Sequence, residues 1–303
     1  MIATRLGQGV VVLLGAITLS FVLANLSGNP IDLLAGLNST PEQRAALKHE
    51  YGYDKPIPAR FVEYVVHAVQ GDFGDSVRQP VSAFSLMFHA LPYTLALVVL
   101  AMLVAVAVSV PIAVHSILRR NTRTDRSLRT ALTVMQGLPE FWLAIVFVLV
   151  FSVWLGWFPV IGAGGPANYV LPVLAIAIPL MSTLVRLLRG HLLDIMGMEF
   201  VTALQAKGLS DRDIVVRHAL RNTFPVTVTF LALQFGWMIG GTVIVETVFS
   251  WPGLGNLAVQ ATTNRDIPVI QAIVIAIAVV YILMNLLADL VAMTVDPRLR
   301  EAR

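Results

Sequence analysis

Residues 90–114 read ALPYTLALVVLAMLVAVAVSVPIAV, 25 residues without one charged side chain. At ~1.5 Å of rise per residue a helix of that length reaches about 37 Å, enough to cross a hydrocarbon core of ~30 Å. Working outward from it, similar apolar stretches occupy residues 6–25, 141–155, 167–185, 222–245 and 267–288. The stretch 141–155 is short, and reaches full length only by taking in residues 130–139 and Glu140. Pro172 and Pro179 interrupt 167–185, which a span tolerates when neighbouring helices satisfy the freed carbonyls. The pattern predicts an all-α membrane protein of about six transmembrane helices.

The rest of the composition agrees. Of the 303 residues 57% are hydrophobic and 13% charged, with mean hydropathy +0.78. Soluble domains carry about 25% charge. An ordinary cytosolic enzyme and a disordered chain are therefore excluded. Zero cysteines removes disulfides, cysteine zinc sites, iron–sulfur clusters and a cysteine nucleophile. A net charge of +3 is too small to argue for nucleic acid. Residues 6–25 exceed the apolar run of a signal peptide, and Arg5 is the one basic residue before them, so a retained signal anchor is expected.

Basic residues set the expected orientation. With the N-terminus inside, the inner segments hold 15 of the 21 Lys and Arg residues, and the short outer loops hold only Arg265. That asymmetry predicts both termini in the cytoplasm.

Two extramembrane pieces carry structure of their own. The outer loop, residues 27–88, opens a capped helix at Thr40-Pro41-Glu42-Gln43, with Gly52 as its stop. A second helix is expected over residues 58–70, with Phe61, Val62, Val65, Val66 and Val69 on one face and Gly71 ending it. The loop should form a small helical domain at the outer mouth. The inner loop, residues 186–225, reads as a helix over 194–206, a turn at Lys207-Gly208-Leu209, and a second helix opened by Ser210-x-x-Asp213 that ends near Arg221. Phe200, Val201, Ala203, Leu204, Leu209, Ile214 and Val215 make this hairpin apolar between basic flanks, so it should dock on a partner; packing back on its own membrane ends is the alternative.

Catalytic signatures are missing. No G-x-x-x-x-G-K-[ST] occurs, so the chain has no phosphate-cradling loop of its own. There is no G-x-S-x-G, and the histidines at 49, 67, 89, 115, 191 and 218 are too scattered to ligate a metal. Two acids fall at membrane depth, Glu140 where the third stretch is extended and Asp289 at the end of the last. Glu140, followed by Phe141, either lines a translocation path or pairs with a neighbouring span, whereas Asp289 lies near the inner end of its stretch. Glu246 and Asp266 fall at the outer membrane edge, where no special role is expected.

Four short segments then carry a family resemblance. Ala206-Lys207-Gly208-Leu209 with His218-Ala219-Leu220-Arg221-Asn222 and Pro225 resembles the cytoplasmic loop by which permease subunits of dipeptide/oligopeptide ABC importers contact their ATPase. Gly71-Asp72-Phe73-Gly74 and Ser76 resemble the segment before that family's second span. Glu246, Phe249 and Ser250-Trp251-Pro252-Gly253-Leu254-Gly255, with Arg265-Asp266-x-Pro268, resemble its last outer loop, and Asp296-Pro297-Arg298-x-Arg300 its C-terminus. Where the wider pattern has Glu-Ala-Ala, six to four residues before the glycine, this chain has Thr202, Ala203 and Leu204.

The resemblance implies one transmembrane domain over residues 1–303, forming half of a path for short peptides in a prokaryotic inner membrane. Nickel complexes or another small solute are the alternative cargo. It implies a second, paralogous permease, two cytoplasmic ATPases that hold ATP and Mg, an extracytoplasmic substrate-binding protein and lipid as partners, and no cofactor in this chain. Coupling falls to residues 202–204 and Ala206, Lys207, Gly208, Leu209, Arg212 and Arg217. The outer gate falls to Glu246, Phe249, Pro252, Gly253 and Gly255. A stand-alone secondary transporter or channel is the competing class, disfavoured by the shortage of mid-depth acids. A membrane-embedded enzyme is third.

Overall fold

A computed structural model describes residues 2–26, 40–50 and 54–295. Twelve helices are seen among them, and no strand. They are α1 (Ile2–Leu26), α2 (Pro41–Glu50), α3 (Ile57–Val69), α4 (Ala83–Leu118), α5 (Arg123–Gln136), α6 (Glu140–Trp154), α7 (Pro166–Met196), α8 (Glu199–Ala206), α9 (Asp211–Gly241), α10 (Val243–Val248), α11 (Leu254–Thr263) and α12 (Ile267–Val295). Five, namely α1, α4, α7, α9 and α12, are long and apolar enough to cross a membrane. The count becomes six if α5 and α6, bent by 96° to one another, form one broken span. Residues 130–139 therefore do not straighten the third stretch into a longer rod. Gly137-Leu138-Pro139 ends α5, and Pro139, with no amide hydrogen to donate, starts α6 in a new direction.

The chain divides into two compact units, residues Met1–Pro92 with Gly253–Leu283 and residues Tyr93–Pro252 with Met284–Arg303. In the first, Ile17, Ala68, Phe73, Ala83, Met87, Leu254, Ala261 and Ile273 form the buried core. Phe21 of α1 meets Phe61 edge-on at 5.3 Å, and Ser20 and Tyr64 share a hydrogen bond of 3.2 Å. Thr40 and Gln43 cap α2 reciprocally, each side chain bonded to the other's amide. Gly52 lies outside the described residues. The apolar face expected for the second outer helix is split: Phe61, Tyr64, Val65 and Ala68 pack inward, whereas Val62, Val66 and Val69 are exposed.

The second unit is centred on Ala113, Ile117, Leu184, Leu188, Leu192, Val215 and Ala219. The proline-interrupted stretch forms an unbroken 31-residue helix, α7. Pro179 itself cannot donate, and the Thr183 and Ser182 hydroxyls bond back to the carbonyls of Pro179 and Ile178. Two sequence-based boundaries move. The helix expected over 194–206 breaks at Gly197-Met198, giving the end of α7 and a separate α8. The helix expected to stop near Arg221 instead runs on through a π-helical stretch, Ile214–Ala219, to Gly241. The turn Thr242 then separates it from α10, inside the stretch read as 222–245.

Candidate coupling face and translocation cavity

The α8–α9 hairpin is built on one backbone device. Gly208 has φ +86°, its amide reaches Gln205 O at 2.9 Å, and the Leu209 amide reaches Leu204 O at 3.2 Å. This pair of bonds closes α8 with a left-handed residue, the arrangement that favours glycine. Ser210 then caps α9 by accepting from the Asp213 amide at 3.2 Å, while its hydroxyl donates to the Asp213 carboxylate at 2.5 Å. Leu209 alone separates the two capping residues, Gly208 and Ser210.

The apolar residues of the hairpin separate into two groups. Val201, Ile214 and Val215 are buried within this chain, so packing against its own helices accounts for them. Phe200, Thr202, Ala203, Gln205, Ala206 and Lys207 are exposed, with Leu204 and Leu209 half-buried. Arg212 is exposed, and Arg217 lies 3.9 Å from Asp213, at the limit of an ion pair. The outward face is thus mixed, with Lys207 and Arg212 exposed beside the acids Glu199 and Asp211 and the apolar Phe200 and Val216.

The turn between α4 and α5 holds a buried cluster that sequence reasoning missed. Asp125 is fully buried, accepts from Ser116 Oγ at 2.5 Å and lies 3.2 Å from Arg189 Nη2. Arg189 Nε also donates to Ser116 Oγ at 2.8 Å, and Arg129 approaches Asp125 at 3.5 Å. One acid among five arginines was the available signal.

After α10, Phe249 and Trp251 are fully buried. Trp251 Nε1 donates to Tyr93 O at 3.2 Å, and its ring meets Tyr169 edge-on at 4.5 Å. Glu246 is also buried and accepts from Thr94 Oγ1 at 2.7 Å. Glu246 and Asp266, expected at the membrane edge without a special role, are instead both buried and hydrogen-bonded. Asp266, 4% exposed, takes the Ser76 hydroxyl and the Val77 amide. A carboxylate removed from water in this way must be satisfied by donors, which fixes the segments supplying them. In the first unit, Gly253 caps α11, with Leu254 and Gly255 buried. Pro252 is exposed.

Glu140 lies at the start of α6 and lines a cavity of about 610 Å³ with Gln136, Phe141, Thr183, Gln234 and Trp237. The side chain of Asp289, and residues 296–303, lie outside the described residues.

Comparison with known proteins follows the same lines. A family model described as binding-protein-dependent transport system inner membrane component matches residues 98–301. The chain is 36% identical over 277 residues to the glutathione transport system permease protein GsiC of Salmonella typhimurium, covering 91% of this chain and 90% of that protein. Identity to the protein of the same name in Escherichia coli (strain K12) is 35% over the same coverage. Two inward-facing crystal forms of the MetNI methionine ABC transporter match with TM-scores of 0.58 and 0.61, at 19% and 16% identity, over 70% of this chain and 96% of theirs. At that identity the likeness is one of fold.

Proposed function

The chain belongs to the binding-protein-dependent transport system inner membrane components and is an ABC importer permease subunit, and from that premise we propose that it carries short peptides. The observation that carries the coupling half of this reading is the α8–Gly208–α9 hairpin with its exposed residues Thr202, Ala203, Ala206 and Lys207. A chain without an ATP-binding loop uses ATP only through a partner, and force passes to it best through a short, rigid element. Glycine-closed, serine-capped helices meet that need.

In this reading two cytoplasmic ATPases, which hold ATP and Mg, seat the hairpin. Lys207, Arg212 and Arg217 face acidic side chains there. A second, paralogous permease completes the path, an extracytoplasmic binding protein delivers the cargo, and both termini lie in the cytoplasm. The name of the GsiC relatives, a glutathione permease, supports a peptide-like cargo. The outer-gate residues Glu246, Phe249, Pro252, Gly253 and Gly255 border the outer mouth.

The test is purification in mild detergent. The expected result is co-elution of an ATPase and a second permease with the wild-type chain, with loss of the ATPase alone in Gly208→Val. Elution as a lone chain that still transports on an ion gradient overturns the reading. Uptake of a nickel complex without peptide uptake replaces the cargo.

A further inference from the structure

We infer that Glu140 is the binding group for a protonated amine, so that the cavity selects peptides with a free N-terminal ammonium; the inference rests on the peptide reading above. The cavity holds about 610 Å³, within the ~300–1,000 Å³ range of small-molecule sites. Its sixteen lining residues include one carboxylate, Glu140, and no lysine, arginine or histidine. Among the described residues no hydrogen bond or ion pair engages the Glu140 side chain, which is half-buried rather than free in water. An acid held at the wall of an apolar cavity without a protein partner is costly, and a cationic ligand is what offsets that cost.

The surroundings fit the rest of such a ligand. Gln136 and Gln234 offer amides, each both donor and acceptor, to a peptide backbone. Phe141 and Trp237, 44% and 67% exposed, offer ring faces on which an ammonium or an apolar side chain can rest. The Thr183 hydroxyl donates to Pro179 O, so toward the cavity it can act only as an acceptor, the role an ammonium requires. An anionic or metal cargo finds the wrong partners here: no cation meets the first, and a single carboxylate is too few for the second.

The experiment uses the purified assembly without its external binding protein, so that selection upstream does not enter. Equilibrium binding of radiolabelled alanyl-phenylalanine is compared with its N-acetyl derivative, and uptake of alanyl-phenylalanine by vesicles is measured in parallel with the binding protein added. Wild type is expected to prefer the free amine by about tenfold or more, the order of a charge-assisted hydrogen bond. Glu140→Gln should erase that preference by weakening the free-amine peptide alone, and Glu140→Asp should retain it. A preference that survives in Glu140→Gln, or equal binding of both peptides to wild type, overturns the inference while the peptide reading stands. Absence of alanyl-phenylalanine uptake by wild type overturns both. Should Glu140→Gln fail to assemble, Glu140→Ala is read in its place: loss of the free-amine preference there, with the preference kept in Gln234→Ala, supports the site, and a preference that survives in Glu140→Ala refutes it.

Discussion

Arg189 and Asp125, 64 residues apart in sequence, are joined by a 3.2 Å hydrogen-bonded ion pair in which Asp125 is fully buried. Ser116 bridges the two, donating to the acid and accepting from the arginine. This pins the turn after α4, and the start of α5, to α7. The hairpin follows α7 directly, so the cluster fixes the base from which it projects.

Breaking such a pair from one side leaves an uncompensated buried charge, at a cost of about 3–5 kcal/mol. Asp125→Ala and Arg189→Leu should each lower the unfolding temperature of the detergent-solubilised chain substantially. The double variant should lose much less than the sum of the two, because the partners are in contact. Additive losses in a thermal-unfolding cycle, or none, would show that the pair does not hold the turn.

Gly208 poses a different problem, since a β-carbon there would meet nothing within 4 Å. Any penalty is therefore conformational, of order 1–2 kcal/mol for an L-residue held at positive φ. Asparagine tolerates that region and valine does not. ATP-driven uptake should survive in Gly208→Asn and fall steeply in Gly208→Val, with equal amounts of both in the membrane by immunoblot. Equal uptake by the two would remove the turn from coupling.

What the sequence made legible was the part governed by local chemistry. A charge-free run such as 90–114 has one physical outlet, and the caps at Thr40, Ser210 and Gly208 announce themselves within four residues. The bend at Pro139 was hidden because an apolar count does not register direction. The continuation of α9 beyond Arg221 was hidden as well, since polar Arg221 and Asn222 read as an end although tertiary packing of Val215 and Ala219 carries the helix through. Of the site, Glu140 was visible as a misplaced acid. Asp125 and Asp266 were not, because an acid near an arginine run or a membrane edge looks solvated until its distant partners, Arg189 and Ser76, are in place.

Two further helix ends use the device seen at Gly208 with the wrong residue for it. Ser250 has φ +46° and Arg265 φ +55°, each followed by an amide that reaches back to a carbonyl five residues earlier, Trp251 to Glu246 and Asp266 to Ala261. Both side chains are exposed. Glycine relieves the left-handed strain at small entropic cost, so Ser250→Gly and Arg265→Gly should each stabilise by about 1 kcal/mol. A higher unfolding temperature in detergent is the expected reading; a fall would mean that the side chains hold the loop.

The segment between α3 and α4 carries a pH dependence of definite sign. His67 Nδ1, 2.9 Å away, and then the Gly74 amide hold the Asp72 carboxyl below its ordinary value. A lowered carboxyl contributes stability that is fully present above the unfolded value of ~3.9 and is lost as pH falls through the native one. Hydrogen exchange at the Gly74 amide should therefore quicken on acidification below about pH 4, beyond the intrinsic trend. Asp72→Asn should flatten that dependence, and a variant that keeps it would place the titration elsewhere.

Gly9 of α1 is buried, and a β-carbon there would stand 2.9 Å from Ile282 Cγ2 of α12. That atom is fixed to a branched β-carbon and has no flexible stem on which to retreat, so the helices must separate or the side chain leave its rotamer. Overpacking of this kind costs about 1–3 kcal/mol, and small residues at membrane helix contacts are what permit close backbone approach. Gly9→Ala should lower the unfolding temperature, and Ile282→Ala in the same chain should recover part of the loss by clearing the space. Recovery separates a steric cause from lost helix propensity: alanine is the better helix former, so propensity alone predicts that Gly9→Ala stabilises. A Gly9→Ala chain at least as stable as wild type would mean that α1 and α12 have room to part.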